Sequence, residues 1–214
     1  MPSRTVPFVN NEYYHIFNRG VAKMAIYDNA FDYRHFLNTM LYYQIDGPKP
    51  RFSFFRDKPI TLNKNKKIVD IICYCLVSNH FHFLLLHKRE NGITEFISKV
   101  SNSYTKYFNT KNKRVGPLFQ GEFKSVHIDS NEQLIHLSGY IHLNPIVGYV
   151  VKDLRMYRWS SYPEYSGLKE GICSKEVVLG QFKSEGDYEQ FVLDQVGYAQ
   201  ELEFIKHQLL DIED

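Results

Sequence analysis

Two apolar runs separated by two turn residues constrain this chain more than any other stretch. The first runs from Lys67 to Val77 and carries Ile68, Val69, Ile71, Ile72, Leu76 and Val77. The second is His80-Phe81-His82-Phe83-Leu84-Leu85-Leu86, and only Ser78-Asn79 lies between them. Runs this apolar, joined by so short a turn, pair as an antiparallel hairpin. Side chains alternate along a strand, so His80 and His82 share one face and Phe81 takes the other. That spacing lets two imidazoles occupy neighbouring positions on one metal ion. It equally fits two half-buried histidines paired with backbone or water, because a pair falls short of a full ligand set.

The flanking elements have their own signals. Glu12 to Asn18 is aromatic and apolar and ends at Arg19-Gly20, which reads as a first strand. Asp28 can cap a helix through Phe31, Phe36, Leu37, Met40 and Leu41, which Gly47-Pro48-Lys49-Pro50 breaks. Residues 51–66 carry charge and little pattern and read as a loop. Gly92 to Asn109 repeats Ile93, Phe96, Ile97, Val100, Tyr104, Tyr107 and Phe108 at steps of three and four, a second helix. Leu118 to Ile128 reads as a fourth strand with Gly121 as a bulge. Ser130-Asn131-Glu132-Gln133 has the form of a capping box opening a third helix, which Pro145 should stop by Asn144. The order is βαββαβ plus a helix. It predicts an α+β, ferredoxin-like antiparallel sheet with helices on one face and extra C-terminal helices. The expected division is a domain over residues 1–150 and a helical extension over 151–214 packed on it.

Class follows from what is absent and from where charge sits. No apolar run approaches the ~18 residues of a membrane span, and the N-terminus lacks an apolar signal core. The expected location is the cytoplasm, with no membrane partner. Cys73, Cys75 and Cys173 show no Cys-x-x-Cys spacing and read as structural thiols. The net charge is +2, but from Asp187 onward eight acids meet one base; that share of −7 leaves +9 on residues 1–186. A basic body with an acidic tail is compatible with a polyanionic partner and equally with an ordinary charged surface.

On a helical wheel the third helix carries Leu134, Leu137 and Ile141 as its apolar stripe. Gln133, Tyr140 and Asn144 fall along one edge of it, with His136 just beyond and His142 on another face. Tyr140 and Asn144, one turn apart, point the same way. A helix docked through its leucines would carry a phenol and an amide toward the histidine pair. Taken singly, Tyr140 also fits a core-edge tyrosine, and Asn144-Pro145 fits ordinary turn chemistry.

Taken together, His80-Phe81-His82 after a strand and Tyr140-Ile141-His142-Leu143-Asn144-Pro145 some sixty residues later resemble the HUH-type single-tyrosine transposases. Within that group the likeness is to the REP-associated tyrosine transposases. Tyr14-His15-Ile16-Phe17-Asn18-Arg19-Gly20, Gly116-Pro117-Leu118-Phe119-Gln120-Gly121-Glu122-Phe123-Lys124 and Arg158-Trp159-Ser160-Ser161-Tyr162 are similar to further stretches of the same group. The resemblance implies a ferredoxin-like fold, a divalent Mg or Mn ion, and cleavage and joining of single-stranded or hairpin DNA at hairpin-forming repeats. It implies His80 and His82 as metal ligands, Asn144 as the polar residue assisting them, and Tyr140 as the nucleophile that forms a 5′-phosphotyrosine. Its general base is open between a water on the ion and His136. A homodimer is one of the arrangements open to it. The DNA contacts expected are Arg19, Lys111, Lys113, Arg114 and Lys124, since six basic residues between Lys99 and Lys124 face only Glu122. The alternative is a non-catalytic single-stranded nucleic-acid binding protein on the same fold.

Overall fold

The computed structural model describes residues 7–47, 51–52 and 66–200. Strand β2 (Val69–Val77) turns through Ser78-Asn79 into β3 (His80–His87), and the two pair antiparallel from Val77 with His80 to Val69 with His87. A bulge between Ile71 and Cys73 shifts the register. It puts Ile72 and Cys73 in one core while Ile71 and Tyr74 join the other. Strand β1 (Tyr13–Arg19) pairs with the free side of β3, and β4 (Lys124–Ile128) pairs with β1. The sheet order is β2-β3-β1-β4, antiparallel throughout, which is the ferredoxin-like arrangement expected from the element order.

The two helices inside the βαββαβ unit, α1 (Ala30–Tyr43) and α2 (Gly92–Lys111), lie on one face. They bury Phe36, Met40, Phe96, Val100 and Tyr104 against Ile16, Leu76, Phe81, Phe83 and Leu85. Phe81, between the two histidines, is fully buried in this core. The opposite face is covered by α3 (Asn131–Val147) and the elements after it: α4 (Tyr162–Tyr165), α5 (Glu176–Leu179) and α6 (Glu185–Asp194). Leu134 and Ile141 meet Cys73, Cys75 and Leu84 there, with Tyr162, Tyr165, Tyr188 and Val192 packed around them. The edge of β2 is closed by residues 159–161: Leu76 N–H donates to the Trp159 carbonyl (2.9 Å) and Ser161 N–H to the Tyr74 carbonyl (2.9 Å). His142, fully buried, ties these layers together. One ring nitrogen lies 2.7 Å from the Tyr188 hydroxyl and the other 2.8 Å from the Ser161 hydroxyl. Burial pushes its pKa down to about 3, so it stays neutral. Among the described residues no helix is long and apolar enough to cross a membrane.

Several boundaries differ from those read in the sequence, each for a local reason. Helix α1 is capped by Asn29, not Asp28. The Asn29 side-chain oxygen accepts from the N–H groups of Phe31 (2.9 Å) and Asp32 (3.3 Å). Strand β4 starts at Lys124 because Leu118 and Phe119 turn inward and Phe119 bridges Gly20; Gly121, with φ +66°, lies in the bend before the strand. Helix α2 runs two residues past Asn109, to Lys111. Helix α3 passes through Pro145 to Val147. Proline cannot donate to the Ile141 carbonyl four residues back, but the Asn144 side-chain amide reaches the same carbonyl (3.5 Å) and that of Tyr140 (2.9 Å). Pro48 to Pro50 and most of the expected 51–66 loop lie outside the described residues.

Candidate active site

The sheet places β1 beside β3 with Phe17 opposite His82 and Arg19 opposite His80. Side chains of like parity share a face, so His15, Phe17 and Arg19 line up with His80 and His82 on the α3 side. His82 is buried, and its Nδ1 lies 2.9 Å from Nε2 of His15, its diagonal neighbour across the strands. His15 is itself buried, which pulls its pKa down to about 4 and keeps it neutral.

His80 opens β3. Its Nδ1 lies 2.7 Å from the side-chain oxygen of Asn79, whose amide nitrogen donates to the Lys23 carbonyl (3.2 Å). That second bond fixes which end of Asn79 faces the ring, and an amide oxygen only accepts. The proton of neutral His80 is therefore on Nδ1 and its lone pair on Nε2.

Helix α3 brings the other two residues. The Ser130 hydroxyl accepts from the Gln133 N–H (3.2 Å) to start it, and its apolar side docks on β2 and β3. Tyr140 then stands edge-on to the rings of His82 (5.8 Å, 84°) and His15 (6.4 Å, 81°). One turn on, the Asn144 amide nitrogen is held by the helix carbonyls, which turns its oxygen to His80 Nε2 at 3.4 Å. Two lone pairs thus converge from different elements. A proton on the imidazole or a cation between them satisfies both atoms, and the chemistry of this donor set is compatible with a divalent ion. Among the described residues no group of three or more His, Cys, Asp or Glu forms a metal cluster. The donors here are two imidazoles and an amide.

Residues 57–144, which include all four of these side chains, match the family model described as transposase, IS200 like. The match covers that stretch and leaves the rest of the chain outside it. A solved structure described as the REP-associated tyrosine transposase bound to a REP hairpin is similar in fold, with TM-score 0.56 at 13% identity. The match covers 80% of this chain and 88% of that one. No curated protein matches the chain. The family model agrees with the resemblance read from the motifs over residues 57–144, and the solved structure shows the shared fold.

The structure places the expected DNA contacts unequally. Arg19 and Lys124, which is opposite Phe17, flank the histidine face, and the Arg19 guanidinium donates to the Gln120 side chain. Lys113 and Arg114 lie in the turn after α2; the Arg114 guanidinium donates to the Asn109 side chain (3.0 Å) and to the Pro117 carbonyl (2.8 Å). Lys111 is engaged in an ion pair at the surface. Its ammonium bonds Asp32 (2.6 Å) and Asp28 (3.2 Å), and Asp32 is fully buried. Burial alone would raise the Asp32 carboxyl, but hydrogen bonds from Lys111, the Asp28 N–H and the Tyr107 hydroxyl outweigh it and hold it below the usual carboxylate range.

Lys111→Ala is accordingly expected to cost about 2–3 kcal/mol, less than the ~3–5 kcal/mol of a fully buried pair because the ammonium keeps some water. A melting curve should fall by about 4–12 °C for a chain of this size. Because the folded Asp32 pKa is depressed, the pair's contribution is complete above the ordinary carboxylate value of about 4 and is lost as pH falls through the folded one. A Lys111→Ala protein that melts like wild type at neutral pH would show the pair to be idle.

Sequence reasoning missed His15, Phe17 and Asn79 as neighbours of the histidine pair. His15 and Phe17 have the parity of Arg19 in β1, but only the β1–β3 register shows which strand they face. His136 turns toward α6, where its ring packs on Phe191 (5.3 Å).

Proposed function

We propose that this protein is a metal-dependent transposase that cleaves and rejoins single-stranded DNA at hairpin-forming repeats through a 5′-phosphotyrosine. The observation that carries the reading is the convergence of His80 Nε2 and the Asn144 oxygen beside His82 and the Tyr140 ring. His80, His82 and Asn144 would hold the ion. When bound, Mg or Mn polarises a phosphate oxygen and neutralises charge there.

The chain's own residues supply the rest. The Tyr140 oxygen attacks phosphorus in line with the leaving 3′ oxygen. The Oη–P bond forms as the P–O3′ bond breaks; the phenol loses its proton and the 3′ oxygen gains one. The phosphodiester energy stays in the tyrosine ester, so a 3′-OH can reverse the step on a new strand without a nucleotide cofactor. Arg19 and Lys124 would track phosphates beside the site, and Lys113 and Arg114 farther along the strand. All four site residues belong to one chain, so a single copy carries the set.

The test is covalent trapping. Incubation with a single-stranded hairpin oligonucleotide and Mg or Mn should give a denaturation-resistant species with the mass of protein plus the downstream fragment. Cleavage without any such species would point to an activated-water hydrolase, and binding without cleavage to a non-catalytic module. Neutralising Lys113 and Arg114 together should weaken binding and reduce the log–log salt slope by about 1.4, at ~0.7 per phosphate contact on single strands. An unchanged slope would place the strand elsewhere.

A further inference from the structure

We propose that His15 is a positioning residue that sets the tautomer of His82, holding the His82 proton on Nδ1 so that Nε2 presents its lone pair to the cation. The inference rests on the metal reading above and adds to it a residue outside the ligand set. His15 Nε2 and His82 Nδ1 are 2.9 Å apart and both rings are buried, so one must donate and the other accept. If His15 donated, His82 would accept at Nδ1 and carry its proton on Nε2, the nitrogen a cation needs. If His15 accepts, His82 has Nδ1–H and a lone pair on Nε2.

His80 shows the same pattern solved with a different residue. Its Nδ1 faces an amide oxygen that can only accept, from Asn79, itself pinned to the Lys23 carbonyl. Each histidine of the pair thus has a partner on Nδ1, one from the turn before β3 and one from β1. Such partners orient a ligating imidazole and raise its basicity. The surroundings hold His15 in place: its ring lies tilted beside Phe17 (4.8 Å), close to the plane of His82 (5.1 Å), and meets the Tyr140 ring edge-on. An apolar residue in this position would fill the space but remove the ring nitrogen 2.9 Å from His82 Nδ1.

The direct test is nitrogen-15 NMR of the histidine rings in metal-free full-length protein, which reads the tautomer of each imidazole. Wild type should show His82 protonated at Nδ1; protonation at Nε2 overturns the proposal. His15→Phe should shift His82 away from the Nδ1–H form. His15→Gln keeps an acceptor oxygen at similar reach and should restore it. Mn²⁺ titration, followed by calorimetry or electron paramagnetic resonance, should show affinity reduced about 10–100-fold in His15→Phe and within about threefold of wild type in His15→Gln. Wild-type affinity in His15→Phe, alongside weak binding by His82→Ala, overturns the role of His15 alone. Equal Mn²⁺ binding by wild type and His82→Ala overturns the metal reading and this inference with it.

Discussion

Replacing both His80 and His82 with alanine is expected to abolish DNA cleavage while the sheet persists. The double variant leaves the Asn144 oxygen as the sole donor of the set, and one amide does not hold Mg or Mn against water. Losing about 4 kcal/mol of charge stabilisation at the phosphate lowers the rate about a thousandfold. The fold has no such dependence. Strand β3 is hydrogen-bonded on both sides, to β1 and β2, and Phe81, Phe83 and Leu85 anchor it in the opposite core. His82 is not free to remove, however. It is 8% exposed, and its loss leaves a cavity and deprives His15 of its partner. That costs about 1–3 kcal/mol, a few degrees in melting temperature. Gel assays of hairpin cleavage, with circular dichroism on the same samples, separate the two effects. A double variant that cleaves normally in excess Mg or Mn removes the metal assignment.

What the sequence revealed and what it hid follow from the range of the signals. The histidine hairpin was legible because a two-residue turn fixes pairing locally and strand alternation then fixes the face of His80, Phe81 and His82. The Tyr140–Asn144 pair was legible because one helical turn sets its direction whatever the helix docks against. The docking side was not: α3 and the C-terminal elements cover the face away from α1 and α2, which no local period encodes. His15 carries no local signal because it meets His82 only through the β1–β3 register, 67 residues apart in sequence. Lys111 groups with its basic neighbours in sequence because the carboxylates it serves, Asp28 and Asp32, sit before and in α1. Pro145 looks like a stop in sequence because the amide that compensates for it is a side chain, Asn144, whose oxygen the same bonds turn toward His80.

Tyr140→Phe is expected to remove the covalent adduct and strand cleavage together while leaving DNA binding in place. The substitution deletes one oxygen. The ring that faces His82 at 5.8 Å and His15 at 6.4 Å remains, and so does the helix that carries it. Asn144 keeps its bonds to the Tyr140 and Ile141 carbonyls, which are backbone groups, so its oxygen still faces His80. A benzene ring has no lone pair to attack phosphorus, so neither the phosphotyrosine nor the free 3′-OH can form. In wild type, peptide mapping of the trapped species should place the DNA on Tyr140. The matched control is Tyr104→Phe. The Tyr104 hydroxyl donates to the Ile26 carbonyl in the core on the other face of the sheet, so its loss lowers stability by about 1 kcal/mol and leaves cleavage intact. An adduct that survives Tyr140→Phe, or maps to another tyrosine, would assign the nucleophile elsewhere and leave Tyr140 a packing residue at the edge of the leucine stripe.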